Sequence, residues 1–124
     1  MKRTALMAAL VFGFTVVAAT AAEVTGVLVD QACYMKDKAN TTNAHKGMGE
    51  ACAQACAKKG MPVAIVTEKG EVYEVMTMGE LAGESNAKLV PHMSHTVTLT
   101  GDLVDSKDKK SKVLHATALK MISK

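Results

Sequence analysis

The sequence has no tryptophan, two phenylalanines, two tyrosines and one arginine, Arg3. Both phenylalanines, Phe12 and Phe14, sit with Arg3 in the first 22 residues. The remainder therefore lacks guanidinium forks to grip phosphate and has few aromatic faces on which bases stack, so nucleic acid is not expected as a partner. The lysine-rich stretch Ser106-Lys-Asp-Lys-Lys-Ser-Lys112 lies between two strand-like runs and reads as a solvated hairpin loop. Catalytic signatures are also missing. There is no Ser/His/Asp order, no paired-carboxylate motif, no phosphate-binding glycine loop and no C-x2-C of the thioredoxin type, so an enzyme is not expected.

The one long apolar run is Leu6 to Val17, preceded by Lys2 and Arg3 and followed by Ala19-Thr-Ala-Ala22. That is the pattern of a secretory signal peptide over residues 1–22, too short and too close to a cleavage site to span a membrane stably. The mature chain, residues 23–124, is expected to be a single small domain, periplasmic or secreted. Without Lys2 and Arg3 it has 13 lysines against 12 acidic residues, a net charge of +1 instead of the +3 of the whole sequence. A domain of this size is near the lower end of what one core stabilises well, so a bond or an ion that ties loops down would help it.

Hydrophobic alternation marks strands at Glu23–Asp30, Pro62–Thr67, Glu71–Met76, Thr96–Asp105 and Val113–Ile122. Gln31 to Met48 reads as irregular and polar. Glu50 to Lys59 reads as an alanine-rich helix, with Gly60 placed as the residue after its C-cap. Leu81 to Val90 is weakly helical and is stopped by Pro91. The resulting fold class is mainly β (α+β). It is a five-stranded OB-like barrel or a meander, with a Cys-bearing helix inserted after the first strand. With so few aromatics, the core falls to valine, leucine, alanine and methionine. The seven methionines beyond the leader (Met35, Met48, Met61, Met76, Met78, Met93 and Met121) read first as core filler.

Against these absences stand three cysteines, Cys33, Cys52 and Cys56, with His45 between them. An odd number of thiols in an exported chain calls for more than an internal disulfide. Cys52 and Cys56 are four residues apart on the helix, so they share one face. Cys33 and His45 come from the preceding loop and complete three or four donors, in the spacing C-x11-H-x6-C-x3-C. Three arrangements compete. One is a metal site on Cys33, Cys52, Cys56 and His45. Another is a disulfide from Cys33 to Cys52 or Cys56, which would close a loop of about 20 residues and stabilise the fold by roughly 3 kcal/mol. The last is a set of thiols packed as small apolar groups. Thiolate and thioether favour copper(I), and thiolate with imidazole also suits zinc. Asp30, three residues before Cys33, reads either as a base or as the carboxylate that orders the following turn. His92 and His95 read as an exposed connector, with a second soft-metal site as the alternative.

The run Thr25-Gly-Val-Leu-Val-Asp-Gln-Ala-Cys33, then His45, then Cys52-Ala-Gln-Ala-Cys-Ala-Lys-Lys-Gly-Met-Pro62, Gly70-Glu-Val-Tyr73 and Val97-Thr-Leu-Thr-Gly101 resembles a family of small exported bacterial domains. The shared pattern is G-x-x-x-D-x-x-C, H, C-A-x-x-C-A-x-x-G-x-P, G-x-V-Y, V-x-x-T-G. The resemblance implies export, a small β-barrel-like domain and the Cys/His group acting as one unit, and it implies no activity. The C-x3-C pair with a separate histidine is also similar, in ligand chemistry alone, to the copper site of Sco-type assembly chaperones. The expected function is a periplasmic metal-binding protein, a copper carrier or sensor, holding a copper or zinc ion and meeting a periplasmic partner protein. The alternative is a disulfide-stapled OB-like binding or interaction domain without metal.

Overall fold

The computed structural model describes residues 21–36, 38 and 50–123. The first 20 residues of the expected signal peptide, His45 and Met48 lie outside the described residues, whereas Ala22, expected as the last residue of that segment, opens the first strand. Five strands form a mainly β structure: β1 (Ala22–Asp30), β2 (Val63–Val66), β3 (Val72–Thr77), β4 (Thr96–Asp105) and β5 (Lys112–Ser123). They close into a ring in the order β1-β2-β3-β5-β4, with β4 returning to β1. Every pairing is antiparallel except β3 with β5. A meander would seat β3 beside β4, so that alternative is set aside.

Inward-facing side chains fill the ring. Val24 and Leu28 of β1, Val63 and Ile65 of β2, Val97 and Leu99 of β4 and Leu114 of β5 form one buried cluster. The opposite face of β1 and β2 is covered too. Val29, Ala64 and Val66 pack under Tyr34, which explains why all four residues of Val63-Ala-Ile-Val66 are buried. Tyr34 belongs to a short helix, α1 (Gln31–Lys36), in the stretch expected to be irregular. Six residues are too few to show a helical period, but the start signal is present. Asp30 caps the helix, its Oδ1 accepting the Cys33 N–H at 2.8 Å. Thus the turn-ordering role expected of Asp30 is observed.

The second helix, α2 (Glu50–Lys58), matches the expected element within one residue. It ends in a Schellman motif: Gly60 N–H donates to Ala57 O at 2.9 Å and Met61 N–H to Cys56 O at 3.2 Å. Gly60 has φ +79°, a conformation that costs other residues energy. Ala53 and Ala57 turn inward and pack with Leu89, Val90 and Met93, so α2 closes the end of the ring at which β1 finishes. The weak helix expected over Leu81–Val90 is replaced by three 3-10 turns, Gly79–Leu81, Glu84–Asn86 and Val90–His92. Ser85 and Asn86, with φ of 51° and 56°, break any continuous helix there.

Two further expectations are corrected. Met93 is fully buried, but Met35, Met61, Met76 and Met78 are exposed, so most of the described methionines are not core filler. His95, expected on an exposed connector, is only 3% exposed, because Leu28 and the Ser94–His95 backbone are bonded to each other (Leu28 N–H to His95 O, Ser94 N–H to Leu28 O). No described helix is long and apolar enough to cross a membrane.

Candidate metal centre

Each thiol is placed by a different local rule. Cys33 is the third residue of α1, and Asp30 fixes its backbone from one side. Tyr34, the next residue, anchors α1 on β1 and β2. Gln31 N–H donates to Pro62 O at 3.0 Å, which ties the start of α1 to the exit from α2. On α2, Cys52 and Cys56 follow each other at one turn, as the spacing predicts, and their thiols are hydrogen-bonded to each other. No disulfide joins the three cysteines, and all three are half-buried.

The result is a compact group. Ligand atoms of Asp30, Cys33 and Cys56 all lie within 4.8 Å of one another. Cys52 adjoins the group through Cys56. Of the four residues expected as ligands, the structure therefore brings Cys33 and Cys56 into one cluster and sets Cys52 at its edge, while His45 lies outside the described residues. Asp30 was not expected as a donor. Asp30 as a whole is 5% exposed, and its Oδ2 is buried with no hydrogen-bond partner among the described residues. A buried carboxylate oxygen without a donor is costly unless something positive meets it.

The electrostatics point the same way. Burial pushes the Cys33 thiol up to about 11, helped by its hydrogen bond to Asp30, the Asp30 charge and the neighbouring Cys56 and Cys52. Burial also raises Cys56, again with Asp30 and Cys52 adding to it and only Lys59 opposing. The surroundings of Cys33 and Cys56 thus disfavour their thiolates, and a cation among them would favour them.

Asn86 holds the helix that carries two of the thiols. Its Nδ2 donates to Ala57 O at 3.1 Å and to Met61 O at 3.0 Å, satisfying carbonyls at the C-terminal end of α2. Asn86→Ala should remove about 1–2 kcal/mol of local stability. Amide hydrogen exchange should then accelerate selectively in residues 53–58. Unchanged exchange there would show that the alanine face alone seats the helix.

A surface cleft lies at the other end of β1, lined by Glu23, Thr25, Glu68, Glu71, Tyr73 and Leu103, and shares no residue with the thiol group. No known protein family, curated protein or solved structure matches the chain.

Proposed function

We propose that the domain binds a transition-metal ion on the cluster Asp30, Cys33 and Cys56, using an exported OB-like barrel as its scaffold. The observation that carries this reading is the convergence of two thiols and an Asp30 carboxylate oxygen within 4.8 Å, on a buried carboxylate whose Oδ2 has no hydrogen-bond partner among the described residues. Three donors from the end of a strand, a short helix and a second helix suit an ion better than they suit plain packing. Two thiolates and a carboxylate form a mixed sulfur–oxygen set, which favours zinc(II). Copper(I), the ion favoured by sulfur alone, takes the site if Cys52 replaces Asp30 in a three-thiolate set. His45 is the proposed fourth donor to zinc. In the sequence it falls between the two ligand-bearing helices. Carriage or sensing follows from half-buried thiols that an ion can reach and leave.

Proton release tests this reading. At pH 7 the Cys33 and Cys56 thiols are protonated, because both are held above their ordinary value. Uptake of one zinc ion should displace about two protons, and apparent affinity should rise steeply with pH. Reduced protein purified anaerobically should take up one ion per chain, read by elemental analysis. A pH indicator in weak buffer should record the protons. Metal far below one equivalent, or uptake without acidification, would sink the proposal.

A further inference from the structure

We propose that Cys33 and Cys56 also form a reversible disulfide, so that the cluster acts as a redox-gated site. The gating half of this proposal rests on the metal-binding reading above; the disulfide half does not. Cys56 has two sulfur neighbours, Cys33 within 4.8 Å and Cys52 at hydrogen-bonding contact. Helix geometry chooses between them. Residues four apart on a regular helix hold their Cβ atoms about 5–6 Å apart. A disulfide needs roughly 3.5–4.5 Å. Pairing Cys52 with Cys56 would therefore unwind α2, which the Schellman cap, the Asn86 bonds and the burial of Ala57 all keep regular. Cys33 sits on a separate helix with its Sγ within 4.8 Å of that of Cys56, so pairing these two moves α1 against α2 and leaves α2 wound.

The chemistry balances with a small-molecule disulfide such as oxidised glutathione as the electron acceptor. One protein thiolate attacks a glutathione sulfur, forming a mixed disulfide and expelling one glutathione thiolate. The second protein thiolate attacks the protein sulfur of that mixed disulfide, forming the Cys33–Cys56 bond and expelling the second glutathione. Two cysteine thiols lose two electrons and two protons, and the reagent leaves as two thiols. Once paired, neither sulfur is a thiolate. Of the proposed donors only Asp30 and His45 remain, with Cys52 beside them, and a site stripped of both its thiolate ligands holds the ion far more weakly. Oxidation thus discharges the site and reduction restores it.

The test uses the metal-free, reduced protein equilibrated in glutathione buffers of increasing oxidised fraction. It is then acid-quenched, alkylated and mapped by mass spectrometry. The expected product has lost two hydrogens, links Cys33 to Cys56 and carries the alkyl group on Cys52. Cys52→Ser should give the same link and Cys56→Ser should give none. A Cys52–Cys56 link, or only glutathione adducts, or no oxidised species in oxidised glutathione alone, would overturn the disulfide. The second arm oxidises zinc-loaded protein in the presence of a chromophoric chelator. One zinc released per disulfide is expected, at a rate at least tenfold below that of oxidation of the metal-free protein. Disulfide formation that releases no bound zinc would overturn the gating. A protein that takes up no zinc but forms the link would overturn the metal reading and the gating with it, and leave the disulfide standing.

Discussion

Cys56→Ser should reduce zinc affinity by more than about 100-fold, beyond the 10–100-fold typical of losing a group that merely supports a ligand. Cys56 joins the parts of the cluster: it belongs to the group with Asp30 and Cys33, and it is bonded to Cys52. Serine keeps the shape and the helix but is a poor donor to a soft ion. The fold should survive, since the side chain is half-buried and Ala57, not Cys56, seats the helix in the core. Cys52→Ser should weaken zinc by about 10–100-fold if Asp30 is the third donor, since Cys52 then only supports Cys56. If instead copper(I) sits on three thiolates, the two substitutions should cost copper equally. Asp30→Asn completes the set. Asparagine caps a helix as well as aspartate does, so α1 should persist while the carboxylate charge is lost. Competition titrations against a chelator of known affinity, with far-ultraviolet circular dichroism as the control, read all three. Equal zinc affinity in the wild type and Cys56→Ser would remove the centre from the cluster.

Gly101→Ala should be the most damaging single methyl group in the protein. A Cβ at this position would lie 2.0 Å from His115 O, 2.7 Å from its carbonyl carbon and 2.9 Å from Ala116 Cα. All three are backbone atoms, so no side chain can swing aside. The contact arises at a β-bulge: Thr100 faces Ala118 while Gly101 faces Ala116, leaving Thr117 as the extra residue on β5. Overpacking a core by a methylene costs about 1–3 kcal/mol, and an unyielding backbone puts this case at the top of that range or above it. For a domain of this size that is a drop in melting temperature of about 15 °C. Gly83→Ala is the control. Its added Cβ would meet only Ala87 Cβ, at an ordinary 3.7 Å, so a change within about 0.5 kcal/mol is expected. Thermal unfolding followed by circular dichroism measures both. If the two variants melt together, the bulge is not a rigid point of the ring.

Much of the β-structure was legible because alternation is a local property. Thr96-Val-Thr-Leu-Thr100 announces a half-buried strand without any knowledge of its neighbours, and β4 has the predicted bounds. β5 shows where that legibility ends. Its inward residues switch from Leu114 and Ala116 to Leu119 and Met121, because the bulge at Thr117 reverses the parity. No period in the sequence marks that reversal; only the close approach of Gly101 does. The pairing of Cys52 with Cys56 was legible from helical spacing. Asp30 as a donor was not. A carboxylate at the end of a strand looks like a turn former, which it also is, and it meets Cys56 only once α2 has folded across the end of the ring. The exposed methionines depart from the expected core for a related reason. Scarcity of aromatics makes Met seem necessary to the core, whereas Ala57, Ala64 and Ala116 show that close backbone packing does part of that work.

The ring closure has a consequence in time. β1 needs β4 as a second neighbour, and that partner begins only at Thr96. The seat of α2 is likewise made from Leu89, Val90, Met93 and the Asn86 side chain, all downstream of the last cysteine. A chain that emerges amino end first therefore presents every proposed donor before it presents the surfaces that align them. Contacts so distant in sequence form late. Until they do, the thiols are reachable but not yet a site. The C-terminal half of the chain, which supplies no proposed ligand, thus decides when the ligands become one.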